Sequence, residues 1–285
     1  FYGKVGNFQL FYNSKIKINE GVAYSVVSRF ETLQFEVKNE VVYLYFNRPE
    51  SLNAVNMKMV HELSDVLKTI TLDETIKIVV VSGLGNAFSA GGDIKEMLSL
   101  HGENVFTKYM EQINEAVNTL TNLPKLTIAA IKGPATGLGL SLALAADYII
   151  SDVNSKLAMN FIGIGLVPDG GGHYLLQRRV GQEKAKKLIW EGNILSPSEA
   201  LEIGLIDELS QEIEQSVEDK ISNWKTKPLL AMIKTKKIYS ELNRPIFNKS
   251  LELEKRAQWK MRQTKDHYEG IQAFVEKRQP YFIGE

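Results

Sequence analysis

Cysteine is absent from this 285-residue chain. That single absence excludes disulfides, thiolate metal ligands and a cysteine nucleophile. It also suits a reducing compartment, and the cytoplasm is the expected location. Charge of one sign is missing too, because 34 Lys and Arg balance 34 Asp and Glu. The chain as a whole therefore offers no basic field for nucleic acid, and no nucleic-acid partner is expected. Four histidines are scattered without zinc-ligand spacing. The longest apolar run, "LGLSLALAADYII", is interrupted by Gly, Ser and Asp and is too short for a bilayer core of roughly 30 Å. It reads as a buried helix, and no membrane partner is expected. Residues 1–30 contain no charged segment followed by an apolar run, so they do not read as a secretory signal. They are set apart as an N-terminal extension, vector-encoded or upstream of the main domain.

What is present is ordinary for a globular protein: 44% hydrophobic and 24% charged residues, enough for a sizeable core. Two alternating runs in "ETLQFEVKNEVVYLYFNRPE", separated by "KNE", predict a β-hairpin that stops at Asn47-Arg48-Pro49. Met57, Val60, Leu63, Val66 and Leu67 recur at helical spacing, and "IKIVVVSGLG" then reads as a buried strand ending in a glycine turn. A second pass repeats the pattern. An amphipathic helix over 105–120 ends before Pro124, "LTIAAIKG" is a strand, "GPATGLGLSLALAADY" is a glycine turn leading into a helix, and "YIISD" is a strand. The alternation predicts an α/β architecture with sites at strand C-termini, over 31–220. Residues 221–285 read as almost wholly helical, punctuated by Pro228 and Pro245, and are expected to pack on the main domain or on another subunit.

Three short stretches carry the chemistry. In "NAFSAGGDIKEM" small residues and paired glycines precede Asp93, which opens a helix with Glu96 in its first turn. Free backbone N–H groups near Ala90 can bind an oxyanion there, although a plain glycine turn with an Asp cap explains the stretch equally well. "GPATGLGLSLALAADY" repeats the device with Gly133, Gly137 and Gly139 before an electropositive helix start, and its plainer reading is close helix-to-strand packing. In "GLVPDGGGHY", Asp169 sits at a proline-glycine turn and is either a turn residue or a carboxylate held at a chosen spot. His173, Asp147, Asp93 and Glu96 read as structural or capping residues. Lys234, Lys236 and Lys237 read as a solvated helix face, with a contact to ligand phosphates as the alternative.

In this order, "RPESLNAVN", "FSAGGDIKEM", "GPATGLGLSLALAADYIIS" and "GIGLVPDGGG" resemble the crotonase superfamily, the enoyl-CoA hydratase/isomerase group, over roughly residues 35–281. The resemblance implies a spiral of repeated β-β-α units with a C-terminal helical trimerisation segment. It also implies assembly as a homo-oligomer, a trimer or a dimer of trimers, and an acyl-CoA thioester as substrate. No cofactor is implied beyond the substrate's own coenzyme A moiety. It places the thioester oxygen between the backbone N–H groups of Ala90 and Leu138. The coenzyme A would run along Asn53, Ala54 and Val55 and along Ala90, Gly91, Gly92, Asp93 and Ile94, with Gly137, Leu138, Ser141 and Phe161 around the acyl group.

Fold alone does not choose the reaction. The two glutamates with which hydratases of this family move water and a proton fall at Ser141 and Phe161, neither of which can exchange a proton in that way. The branch resembling Δ3,Δ2-enoyl-CoA isomerases and phenylacetate-pathway isomerases places an acidic residue after the proline, here Asp169 after Pro168. One carboxylate suffices to shift a double bond, because the proton it removes can be returned two carbons away while the oxyanion hole holds the dienolate. Burial is expected to raise its pKa. The expectation is thus an enoyl-CoA isomerase. Hydration through one carboxylate, rearrangement of a ring or epoxide, and a catalytically silent acyl-CoA-binding homologue are the alternatives.

Overall fold

Strict alternation builds the entry to the central sheet. In β3 (Leu33–Lys38) the side chains of Leu33, Phe35 and Val37 are buried while Gln34 and Lys38 face solvent. β4 (Val41–Phe46) is apolar on both faces because it lies inside the sheet. The two pair antiparallel from Leu33↔Phe46 to Lys38↔Val41, with Asn39 in the left-handed region at the turn. The computed structural model describes residues 14–18, 21–25 and 30–285. Within the first thirty, β1 (Ser14–Ile18) and β2 (Gly21–Ser25) form a hairpin, and β2 pairs with β3 through Ala23↔Lys38 and Tyr24↔Val37. This part of the expected extension continues the sheet, because the outer edge of β3 offers unpaired backbone groups. The rest of residues 1–30, apart from Phe30, lies outside the described residues.

From β4 onward the sheet is parallel: β4, β5 (Ile78–Gly83), β6 (Leu126–Ile131), β8 (Tyr148–Asp152) and β10 (Glu208–Ser210) lie side by side. Helices return the chain between them: α1 (Met57–Leu72), α2 (Ile94–Ser99) and α3 (Glu103–Thr121), then α4 (Leu138–Leu144). Each turn of the chain also leaves a short extended piece in a second, narrow ladder. Val55 bridges Gly92, Ser89 bridges Ala135, β7 (Pro134–Thr136) pairs with β9 (Lys156–Ala158), and Leu157 bridges Leu195. These repeats form the crotonase-like spiral, and the ladder runs directly beneath the site.

Strand alternation divides the core in two. Val42, Leu44, Phe46, Val79 and Val81 pack on one face with α1, α3 and α4, while Val41, Tyr43, Ile78 and Val80 pack on the other. That second face is closed by Ile213, Val217 and Ile221 of α8 (Ile213–Lys225) and by Ile233 of α9 (Leu229–Met261). α5 (Gly172–Val180), α6 (Gln182–Glu191) and α7 (Pro197–Glu202) connect β9 to β10. α10 (Lys265–Glu276) follows α9.

Two expectations for the C-terminal segment change. Pro245 does not punctuate it, because α9 runs unbroken through that position for 33 residues. A proline interior to a helix costs about 3 kcal/mol. Burial of Ile233 before it, and of Phe247 and Leu251 after it, holds both halves on the domain and offsets that cost. Lys236 is not on a solvated face either. Its side chain is 9% exposed, and its ammonium donates to Asp147 Oδ2 at 2.7 Å and to the Lys125 carbonyl at 2.9 Å. Burial pulls its pKa down, opposed by the Asp147 charge. Asp147 is the expected structural carboxylate: it also accepts from the Thr127 N–H and hydroxyl, both at 2.8 Å. Lys236→Met therefore takes the cation from Asp147 and the donor from the Lys125 carbonyl. It is expected to lower the urea unfolding free energy by about 1–3 kcal/mol, whereas Lys234→Met leaves it within about 0.5 kcal/mol.

Candidate active site

The first wall of the site is a pair of turns held by one asparagine. Asn53 is fully buried in left-handed backbone. Its amide oxygen accepts from Arg48 N–H at 2.8 Å, and its amide nitrogen donates to the carbonyls of Leu84 at 2.9 Å and Ala87 at 2.7 Å. Its own carbonyl accepts from the Ser89 hydroxyl at 2.8 Å. Ala54 and Val55 are spent in the same way: the Ala54 carbonyl accepts from Arg48, and Val55 exchanges hydrogen bonds with Gly91 and Asp93. These three residues brace the wall and do not line the cavity. Asp93 braces it as well, capping α2 at the Glu96 N–H and pairing with Arg48 at 2.9 Å. Glu96 accepts from the Met57 N–H at 2.6 Å.

Bracing decides which backbone donors remain. The Ala90 N–H donates to the Leu52 carbonyl at 2.9 Å, so Ala90, expected as an oxyanion donor, has none to offer. Two residues on, the parallel bridge to Val55 uses Gly91 O and Asp93 N and leaves the intervening Gly92 N–H turned the other way, with no acceptor among the described residues. Leu138 is the first residue of α4, so helix geometry leaves its N–H unpaired. The two glycine turns touch. A Cβ on Gly91 would lie 2.8 Å from Thr136 O and 3.6 Å from Leu138 N, and Gly91 has φ +97°. Gly92 and Leu138 are therefore free donors on the cavity wall.

Opposite them lies Asp169, on the loop between Leu166 and α5. It is 5% exposed, and one carboxyl oxygen, Oδ1, has no hydrogen-bond partner among the described residues. Burial, and then the charge of Glu254, push its pKa up to about 8. Gly170 lets the backbone pass closely enough to place it: a Cβ there would lie 2.6 Å from Leu138 Cδ1, and φ is +60°. Ser141 is fully buried and donates to the Asp169 carbonyl at 2.8 Å. It shapes the loop and does not line the cavity, contrary to its expected place among the ligand contacts.

Ala90, Gly91, Gly92, Ile94, Gly137, Leu138, Phe161 and Asp169 line one cavity of about 310 Å3, and of the residues expected at the site Asn53, Ala54, Val55, Asp93 and Ser141 stay outside it. A larger cleft of about 460 Å3 lies beside Tyr45, Lys132 and α8 and contains none of the expected residues. Sequence reasoning missed several groups. Tyr109 and Phe274 line the same cavity, and Glu254 and Gln258 support its carboxylate. The signal for the last two was in the pattern: Phe247, Leu251, Glu254 and Gln258 follow the buried stripe of α9 at helical spacing, so two polar residues occupy core positions. His173 does not reach the cavity. Its backbone N–H and Nδ1 lie 3.0 and 2.8 Å from Glu254 Oε1.

Comparison with known proteins places this geometry. The family model for enoyl-CoA hydratase/isomerase matches residues 36–285. YhaR of Bacillus subtilis (strain 168), whose name assigns it to the enoyl-CoA hydratase/isomerase group, is 47% identical over 253 residues, covering 88% of this chain and 99% of that protein. The 1,2-epoxyphenylacetyl-CoA isomerase of Escherichia coli (strain K12) is 31% identical over 266 residues, covering 89% and 99%. Among solved structures, an enoyl-CoA hydratase from Mycobacterium avium subsp. paratuberculosis K-10 superposes with a TM-score of 0.81 at 29% identity, covering 89% of this chain and 99% of that one. With the spiral, the glycine turns and a family match over nearly the whole described domain, the chain belongs to the enoyl-CoA hydratase/isomerase family, enzymes acting on acyl-CoA thioesters.

Proposed function

We propose that this enzyme shifts a carbon-carbon double bond in an enoyl-CoA, with Asp169 as the only proton carrier. The observation that carries the reading is a single ionisable carboxyl facing a cavity whose other side chains are apolar apart from those of Tyr109, Thr136 and Asn160. In the reaction, the Asp169 carboxylate takes a proton from C2 of a 3-enoyl thioester. The electron pair moves onto the thioester oxygen, which accepts hydrogen bonds from Gly92 and Leu138 N–H. The dienolate collapses as Asp169 returns the proton to C4, giving the 2-enoyl thioester. The residues replacing the hydratase glutamates favour this route over addition of water, because Ser141 is committed to the Asp169 carbonyl and Phe161 carries no exchangeable proton.

The Escherichia coli relative, a 1,2-epoxyphenylacetyl-CoA isomerase, supports a second reading in which the acyl group is aromatic-derived and the rearranged bond is an epoxide. No cofactor beyond the substrate's coenzyme A enters either reading. We also place the protein in the cytoplasm and assign it a homo-oligomeric state, a trimer or a dimer of trimers. Supporting assembly, Ile238, Leu242 and Ile246 form an exposed stripe four residues apart along α9. Light scattering is expected to give three or six times the 32.1 kDa chain mass, and a monomer overturns the assignment.

Asp169→Asn is expected to lower 3-enoyl-CoA isomerisation by 10³-fold or more while acyl-CoA binding, read by calorimetry, stays within about threefold. Rapid hydration of crotonyl-CoA by the wild type would instead assign the enzyme to the hydratases. Turnover of a ring epoxide, with 3-enoyl substrates inert, favours the second reading.

The same carboxyl makes stability depend on pH in a definite direction. In the unfolded chain it ionises near the ordinary aspartate value of 3.8, whereas in the fold it holds its proton up to about 8. Its contribution to stability is therefore full below about 3.8, falls as pH rises between the two values, and is level above about 8. Asp169→Asn is expected to unfold at higher urea than the wild type at pH 8, and the advantage shrinks toward pH 4. An advantage that grows as pH falls would contradict the buried neutral carboxyl.

A further inference from the structure

We propose that Glu254 and Gln258, one turn apart on α9, are the positioning residues of the reaction: Glu254 ties down the glycine turn after Asp169, and Gln258 aims the carboxyl. The proposal rests on the reading of Asp169 as the proton carrier.

Glu254 is 3% exposed and spends both oxygens on the turn. Oε2 accepts from the Gly171 N–H at 2.7 Å, and Oε1 accepts from the His173 N–H at 3.0 Å and lies 2.8 Å from His173 Nδ1. It thus occupies the electropositive start of α5, where a carboxylate is favoured. Gly171 has φ +74°, and a Cβ there would lie 2.5 Å from Phe247, so the turn follows the surface of α9 closely. The placement of Asp169 is therefore dictated by a helix eighty residues away in the chain.

Gln258 is fully buried. Its amide nitrogen donates to the Val167 carbonyl and stands 3.5 Å from Asp169 Oδ2. Its Oε1 and Asp169 Oδ1 are both buried acceptors without a donor among the described residues. Unpartnered acceptors on two buried groups that already meet at 3.5 Å through Gln258 Nε2 and Asp169 Oδ2 favour a carboxyl that holds its proton. The Gln258 carbonyl is then its resting acceptor. When the carboxyl gives up that proton, the Gln258 amide nitrogen is the donor at hand for the carboxylate. Both states keep the same orientation toward the cavity, as a group that alternates between acid and base within one turnover requires.

The charged and titratable groups facing Asp169 are few. Glu254 comes from α9, and Tyr109 from α3 stays neutral because burial and the Asp169 charge raise its pKa. Arg262, just past the end of α9, donates to the carbonyls of Met97 and Leu100 and works against the rise in the Tyr109 pKa.

The test is the pH profile of kcat/KM for 3-enoyl-CoA isomerisation in three full-length variants. Glu254→Gln keeps an acceptor oxygen for the turn but removes the charge. Its acidic limb is expected to move down by about 1 pH unit. Gln258→Glu adds a carboxyl beside Asp169 and is expected to move the limb up by a similar amount. Gln258→Leu is expected to lower kcat about 10- to 100-fold with KM within twofold. Limbs that stay at the wild-type pH while activity merely falls with stability overturn the proposal. A second measurement needs no change on α9. In the wild type, the infrared carboxylic-acid band that vanishes in Asp169→Asn is expected at a hydrogen-bonded frequency, and a free-acid frequency overturns the Gln258 contact. Should Asp169→Asn retain full turnover, the proton-carrier reading itself fails. Its loss of turnover together with unmoved limbs in the α9 variants sinks the positioning role alone.

Discussion

An ionisable carboxyl buried with no ion-pair partner among the described residues is the constraint around which this molecule is arranged. Desolvating a charge in that position costs several kcal/mol, so the group rests as the neutral acid and its pKa rises. Nothing around it can be bulky or carelessly polar. The loop that carries it is glycine at positions 170–172, and added Cβ atoms there would lie 2.6 Å from Leu138, 2.5 Å from Phe247 and 2.9 Å from Pro168. The neighbours that touch it donate or accept in fixed directions: Ser141 holds its carbonyl, and Gln258 stands beside its carboxyl. In the proposed reaction the same burial serves the chemistry, since a carboxyl that titrates near neutrality can act as both base and acid.

Much of the scaffold was legible in the residues because its physics is local. The alternation in β3, the helical stripe Val60, Leu63, Val66 and Leu67, and the glycine turns after β5 and before α4 each depend on neighbours a few positions apart. Asp169 was singled out by the family resemblance and by Ser141 and Phe161 standing where two glutamates were expected, because an aspartate in a proline-glycine turn is by itself an ordinary turn residue.

The misread features share a different cause, because each was decided by a contact between distant segments. Ala90 looked like a free donor, yet the Leu52 carbonyl, thirty-eight residues earlier, accepts its N–H. Asn53 looked like a ligand contact, yet its side chain is exhausted on Arg48, Leu84 and Ala87. Lys236 looked solvated, yet it faces the end of a strand a hundred residues away in sequence. A short-range pattern states which groups are available in a turn. Only the packed fold states which have already been used.

The longest of these couplings runs along α9. At its N-terminal half Lys236 is fixed to Asp147, just beyond the end of α4. Gln258 follows twenty-two residues later, roughly 33 Å along a straight helix at 1.5 Å per residue, and meets Asp169. α4 itself begins with the Leu138 N–H, passes Ser141 against the Asp169 carbonyl and ends at the Lys236 anchor. The backbone donor and the carboxyl are thus referenced to the same two helices, through Ser141 of α4 and Gln258 of α9. The helix continues through Pro245 because burial of Ile233 before it and of Phe247 and Leu251 after it holds both halves on the domain. A break would free one end of the rod from the other, and the distance from the Lys236 anchor to the carboxyl would no longer be fixed by helix geometry.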